Sequence, residues 1–368
     1  MIYLDTAATS LLKPPAVSKA MMQAMRTMAS PGRGGHAPAM KAAELVYDCR
    51  CAAAELFNVP EPESVVFTFN ATHGLNIAIH SLVQPGDRVV VSGYEHNAVT
   101  RALKNAGAVV DVARSPLFDS AAAVEAFRAK IPGAKAVVCN HVSNVFGFVL
   151  PVYEIGGICR EYGVPYIVDA SQSAGCARVD FGALGAQFAA MPGHKGLMGP
   201  QGTGILLCAQ AGTPLLCGGT GSESKNQDMP DFLPDRLEAG THNVTGIAGL
   251  YEGIKYVKEK NPERIGANER ALTYRMAERL GWLNGIQAFY GPDQAGVLSV
   301  RHESIDCETI CSRLGEMGIA VRGGLHCAPT AHETAGTIST GTVRFSFSPF
   351  TTPRQIDAAC RAMEIIVR

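Results

Sequence analysis

The chain has 368 residues, a formal net charge of -1 and 47% apolar residues. At about 150 residues per domain this length predicts roughly two domains, and the near-neutral balance argues against nucleic acid or an anionic membrane surface as a partner. No apolar run reaches the ~18 residues of a membrane span, and the opening Met1-Ile2-Tyr3-Leu4-Asp5 lacks the basic-then-apolar order of a signal peptide. Eleven scattered cysteines are an odd number and do not form a secreted disulfide framework, so reduced thiols in the cytosol are expected. Cys49 with Cys51 and Cys307 with Cys311 fall in helical patterns. Neither has a second pair at zinc spacing, so they read as core filling and no metal site is expected.

In chain order, residues 65–69 read as a strand and 74–79 as a helix. Strands follow at 88–92 and 109–112, then a helix at 121–129, a strand at 136–139 and a helix at 152–162. Further strands read at 165–169, 188–190 and 204–207. These are short, mostly continuous apolar runs, as expected for strands buried on both faces, and the alternation predicts an α/β fold with a mostly parallel sheet between helices. After about Gly249 the character changes. A long charged helical stretch at 256–283 precedes strands at 296–300, 319–322 and 343–347, with helices at 307–317 and 355–366. The expected organisation is a large α/β domain over 15–249 and a small α+β domain over 250–368, joined by residues 1–14. Glycine-rich 32–35 and 217–221 read as loops. Gly199-Pro200-Gln201-Gly202 is no phosphate P-loop, because no Gly-Lys-Ser/Thr follows.

In an open α/β sheet, ligands sit at the carboxyl ends of the strands. Those ends carry Asn70-Ala71-Thr72-His73-Gly74, Tyr94-Glu95-His96-Asn97, His141-Val142-Ser143-Asn144, Asp169-Ala170-Ser171-Gln172 and Pro192-Gly193-His194-Lys195-Gly196. Taken singly, Thr72 is a helix cap, His96 a loop histidine, Asp169 a turn residue and Lys195 a solvated lysine. Taken together, a helix N-terminus suited to phosphate, an aromatic ring, a carboxylate and an amine meet on one rim.

With these residues in place, the chain resembles a fold-type-I pyridoxal-phosphate (PLP) enzyme of the class V aminotransferase group, and within it the cysteine desulfurase branch. The resemblance runs through Tyr3-Leu4-Asp5-Thr6-Ala7-Ala8-Thr9, Arg33-Gly34-Gly35-His36, Glu95-His96, Asn144, Asp169-x-x-Gln172, Gly193-His194-Lys195, Glu238-Ala239-Gly240-Thr241 and Arg322 through Arg344. It implies a large domain with a mostly parallel seven-stranded sheet. It implies a Schiff-base lysine, Lys195, that also moves the substrate proton, and Asp169 on the pyridinium nitrogen. His96 is then the ring-stacking residue and Gln172 bonds the phenolic oxygen. Thr72, the His73 N–H and His194 hold the phosphate, Asn144 and Arg344 hold the substrate carboxylate, and Thr241 reaches a neighbouring subunit's phosphate in a homodimer. One departure is Pro192, where the group often has Ser or Thr; a hydroxyl contact to the phosphate is lost there.

Transamination, β-elimination and desulfuration share this apparatus. The stretch Arg322-Gly323-Gly324-Leu325-His326-Cys327-Ala328-Pro329 resembles the loop that carries the catalytic cysteine in the second of the two desulfurase groups, and the paired glycines are expected to make it mobile. His326 and His332 near Cys327 fit no standard metal spacing. The resemblance therefore implies desulfuration of L-cysteine to L-alanine, with a persulfide on Cys327 and a possible sulfur-acceptor protein. The alternatives are a selenocysteine or cystine lyase, an aminotransferase, or a PLP-binding regulator without turnover.

Overall fold

The computed structural model describes residues 1–32 and 34–368; Arg33, part of the Arg33-Gly34-Gly35-His36 motif, lies outside the described residues. In chain order the strands are β1 (Ile2–Tyr3), β2 (Val65–Thr68), β3 (Arg88–Ser92), β4 (Val109–Ala113), β5 (Ala136–Asn140), β6 (Tyr166–Asp169), β7 (Phe188–Pro192), β8 (Gly204–Cys208), β9 (Ile286–Phe289), β10 (Val297–His302), β11 (Ile319–Ala320), β12 (Arg322–Gly324) and β13 (Thr342–Ser346).

Seven of them form one sheet in the order β2-β8-β7-β6-β5-β3-β4. β3 to β7 run parallel, and β8 lies antiparallel to both neighbours. The apolar runs of the inner strands are buried on both faces because helices cover both: Val90, Val137, Val168 and Ala189 enter one core, and Val89, Val91, Val138 and Ile167 enter the other, whereas the edge strand β4 leaves Val109 and Val110 exposed. Pleating sends alternate side chains to opposite faces. A second sheet, β12-β13-β10-β9, is antiparallel and has its own core, which includes Leu298, Phe345, Ile310 and Met363. Leu4 belongs to this second core, and β1 pairs in parallel with β11, so the start of the chain is stitched to the far end of the sequence.

Two expected elements are broken. The helical stretch over 256–283 is two helices, Val244–Lys260 and Pro262–Gly281. Asn261 between them has φ +66°, and Pro262 lacks the N–H to continue the first helix while suiting the first turn of the next. The first of these helices carries Ile247, Leu250 and Ile254 into the large core, and the second carries Leu272 and Met276 into the small one. The strand expected over 319–322 is split at Val321 between β11 and β12, which belong to different sheets.

Candidate active site

A cleft of about 220 Å³ opens at the carboxyl ends of the parallel strands, lined by Thr72, His96, Asn144, Asp169, Gln172, His194 and Lys195 among others. Seven sequence-predicted residues thus meet at one place. Lys195 follows β7 through a turn that only glycine can make. A Cβ on Gly193 would stand 2.1 Å from Thr203 Oγ1, and the Gly193 carbonyl accepts from the Gly199 N–H at 2.8 Å. Burial pushes the Lys195 amine down to about 8, against the pull of Asp169. A substantial neutral fraction then exists near physiological pH, as a nucleophilic amine requires.

Asp169 ends β6, is 4% exposed, and accepts the Ser171 N–H through Oδ1 at 2.9 Å. His96 caps the helix Asn97–Asn105, with Nδ1 accepting from the Ala98 N–H at 3.0 Å. Its ring is therefore held with the proton on Nε2, and burial lowers its pKa, which keeps it neutral. Gln172 donates from Nε2 to the Ala7 carbonyl at 3.0 Å. His194 pairs through Nδ1 with Thr9 Oγ1 at 3.0 Å, and burial lowers it to about 4. Pro192 lines the cleft without a donor.

At the start of the helix Ala71–Leu82, Thr72 is exposed to the cleft, and its backbone N–H is one of the first-turn donors without an intrahelical partner. His73 departs from expectation. Its N–H is taken by the capping Asn70 Oδ1 at 2.9 Å, and its ring stacks on Phe69 at 4.7 Å and lines a neighbouring hollow. The cap satisfies the donor that a phosphate was expected to use. Asn70 and Asn140 also line the cleft and were not singled out. Asn70 carries a readable signal, an Asn directly before a helix. Asn140 does not, since its role depends on bonds to the Tyr94 carbonyl and Ser92 across two strands.

The expected carboxylate site is not open as drawn. Asn144 faces the cleft, but its Nδ2 donates to the His326 carbonyl at 2.8 Å, and its buried Oδ1 has no partner. Arg344, on β13, is 1% exposed and does not line the cleft. Its Nη1 donates to the Asn144 carbonyl at 3.0 Å and its Nη2 to Asp5 Oδ1 at 2.8 Å.

Cys327 is exposed and stands beside the cleft rather than in its lining. The loop carrying it is not freed by its glycines, as had been expected. Gly323 and Gly324 are in β12, in register with Val343 and Thr342. The Cys327 carbonyl accepts from the Asn97 N–H at 2.7 Å, next to His96. His326 is buried with Nε2 3.1 Å from the Thr342 carbonyl. His326 and Cys327 have φ of +50° and +56°, consecutive left-handed conformations that surrounding contacts must hold.

Thr241 does not line the cleft; it is exposed, and it lines both the neighbouring hollow that holds His73 and a further one of about 350 Å³ shared with Tyr47 and Arg50. Its turn is anchored by Glu238, which makes a two-bond ion pair with buried Arg50 at 2.9 Å and accepts the Phe67 N–H at 2.6 Å.

The aminotransferase class-V pattern matches residues 2–359, and the chain belongs to that family. Among curated relatives, a probable cysteine desulfurase of Methanothermobacter thermautotrophicus is 34% identical over 99% of this chain and 94% of its own length. One from Pyrococcus abyssi is 32% identical over 100% of this chain and 94% of its own. Among solved structures, the apo cysteine desulfurase of Thermococcus onnurineus NA1 superposes with a TM-score of 0.90 at 31% identity, covering 100% of this chain and 94% of that one.

Proposed function

We propose that this protein is a PLP-dependent cysteine desulfurase that converts L-cysteine to L-alanine and holds the released sulfur as a persulfide on Cys327. The observation that carries the cofactor assignment is the cleft itself, where a half-buried lysine lowered to about 8 faces a buried carboxylate and a neutral capping histidine. That donor set fits PLP. Lys195 would bond the aldehyde carbon, Asp169 would pair with the ring nitrogen, His96 would cover the ring face and Gln172 would meet the phenolic oxygen. The phosphate would lie at the helix start with Thr72 and His194. When bound, PLP supplies an electron sink for the substrate carbons.

The protein's own residues supply the rest. Lys195 takes and returns a proton at the substrate Cα. The Cys327 sulfur forms a bond to the substrate sulfur as the Cβ–sulfur bond breaks, and the bonding pair stays with carbon. Carbon takes up the thiol's proton and leaves as the alanine methyl group, so carbon is reduced as the two sulfurs are oxidised. A polarizable thiolate suits this attack, and its pinned carbonyl fixes where the thiol starts.

We further propose a homodimer in which Thr241 serves the phosphate site of a neighbouring subunit. Its absence from this chain's own cleft lining supports that reading, as do the exposed Met22, Met25, Met40 and Tyr47 of the helices Pro15–Thr27 and Ala37–Phe57. The names of the relatives favour desulfuration over lysis or transamination. The cytosol and a sulfur-acceptor protein are part of the same proposal; no described helix is long and apolar enough to cross a membrane. Borohydride reduction of the yellow holoprotein tests the cofactor site: the pyridoxyl label is expected on Lys195, and a label on another lysine would overturn it.

A further inference from the structure

Arg344 is the residue proposed to take the substrate carboxylate, yet its guanidinium is buried and already engaged by a carboxylate of the same chain. A guanidinium offers two edges for a two-bond grip, Nη1 with Nη2 and Nε with Nη2. Each edge uses one of the two Nη2 hydrogens; Asp5 holds one of them at 2.8 Å, and a substrate carboxylate on the other edge would put two negative charges on one guanidinium. The grip is incomplete. Asp5 binds through one oxygen, and Arg344 Nε is buried without any partner. A two-bond carboxylate would satisfy both donors and make the stronger contact.

The segment around Asp5 permits its side chain to leave while its backbone stays. The Leu4 carbonyl accepts from the Ser346 N–H at 2.8 Å, the Ala7 N–H donates to Ser346 Oγ at 2.8 Å, and the Asp5 carbonyl accepts from Tyr3 Oη at 3.1 Å. The Asp5 side chain is 20% exposed against 2% for Arg344, so it has water to move into. Both charges act on the Lys195 amine, Asp5 raising and Arg344 lowering its proton affinity, which places the pair within electrostatic range of the reacting centre. Ala8, three residues on, lines the cleft.

We propose that Asp5 is an internal stand-in for the substrate carboxylate: it holds Arg344 in the free enzyme and must be displaced from Nη2 when an amino acid binds. The inference rests on the reading of Arg344 as the carboxylate residue. Asp5 thereby keeps a buried cation paired between turnovers, since an unpaired buried charge is strongly destabilising. It also sets a threshold that only a ligand with its own carboxylate crosses. Affinity is reduced by the fraction of enzyme in which Arg344 is free; a free fraction of about one tenth lowers apparent affinity about tenfold.

The test compares L-alanine with ethylamine, the same carbon skeleton without the carboxylate, by titration of holoenzyme. Asp5→Asn keeps an oxygen acceptor but removes the competing charge. It is expected to bind L-alanine about tenfold more tightly and ethylamine unchanged. A purely structural ion pair would give the opposite, weaker binding of L-alanine, and that result or an unchanged affinity would overturn the proposal. Arg344→Lys separates the two readings. It is expected to weaken L-alanine binding, and if it does not, the carboxylate site itself is lost and the proposal with it. A structure of unmodified holoenzyme with L-alanine needs no variant: the Arg344–Asp5 bond is expected to be broken, and its survival alongside alanine bound to Arg344 would refute displacement.

Discussion

Replacing Lys195 by methionine should stabilise the cofactor-free protein. Methionine keeps most of the side-chain volume and removes an amine that folding takes out of water. The amine falls from 10.5 to about 8, with burial the largest cause. At roughly 1.4 kcal/mol per unit, and discounting for water that reaches the amine through the cleft, the charged lysine costs on the order of 2–3 kcal/mol. The folded value lies below the unfolded one, so between about 8 and 10.5 the unfolded chain holds more protons and stability of the natural protein rises with pH. The methionine variant's advantage is therefore full below pH 8 and gone above 10.5. Urea unfolding of both cofactor-free proteins across this range measures it. A variant that is less stable at neutral pH, or a difference that does not shrink as pH rises, would refute the electrostatic reasoning.

Glu238→Ala strands Arg50 in the interior and should lower stability by about 3–5 kcal/mol, read by thermal or urea unfolding. The same change should weaken cofactor retention through the displaced Thr241 turn. Thr241→Val should loosen PLP in the dimer, and mixing this variant with Lys195→Ala should form one intact site per heterodimer if Thr241 acts on the neighbouring subunit; a fully active, PLP-loaded monomer in sedimentation would contradict this. Cys327→Gly relieves a left-handed non-glycine residue and should be neutral to about 1 kcal/mol stabilising in urea unfolding, while carrying no persulfide. Capture of PLP by the cofactor-free protein should speed up as pH rises through about 8, because the neutral amine is the reacting form; stopped-flow absorbance follows it.

The central sheet was legible because buried parallel strands are continuous apolar runs, and the observed strands sit within a residue or two of those read from sequence. The cleft was legible for a related reason. Its side chains sit just past strand ends, a position that the chain itself marks. What sequence did not show was what already occupies those side chains. The His73 N–H belongs to Asn70, Asn144 Nδ2 to the His326 carbonyl, and Arg344 to Asp5. The last two pairs join residues 182 and 339 positions apart, beyond any local pattern. The pinned Cys327 loop was missed because glycines in sequence signal freedom only where no neighbouring strand takes their backbone, and β13 takes Gly323 and Gly324. The split at Asn261-Pro262 was readable from the proline alone.

The most direct test of desulfuration is product analysis of the natural protein and Cys327→Ser with L-cysteine and a reductant. The natural protein should release sulfide and alanine in equal amounts without pyruvate, and mass spectrometry before reduction should find one added sulfur on the peptide bearing Cys327. Cys327→Ser should retain PLP, carry no added sulfur and lose most sulfide release. Sulfide released by Cys327→Ser at the natural rate, with pyruvate as the co-product, would contradict the mechanism and identify a lyase.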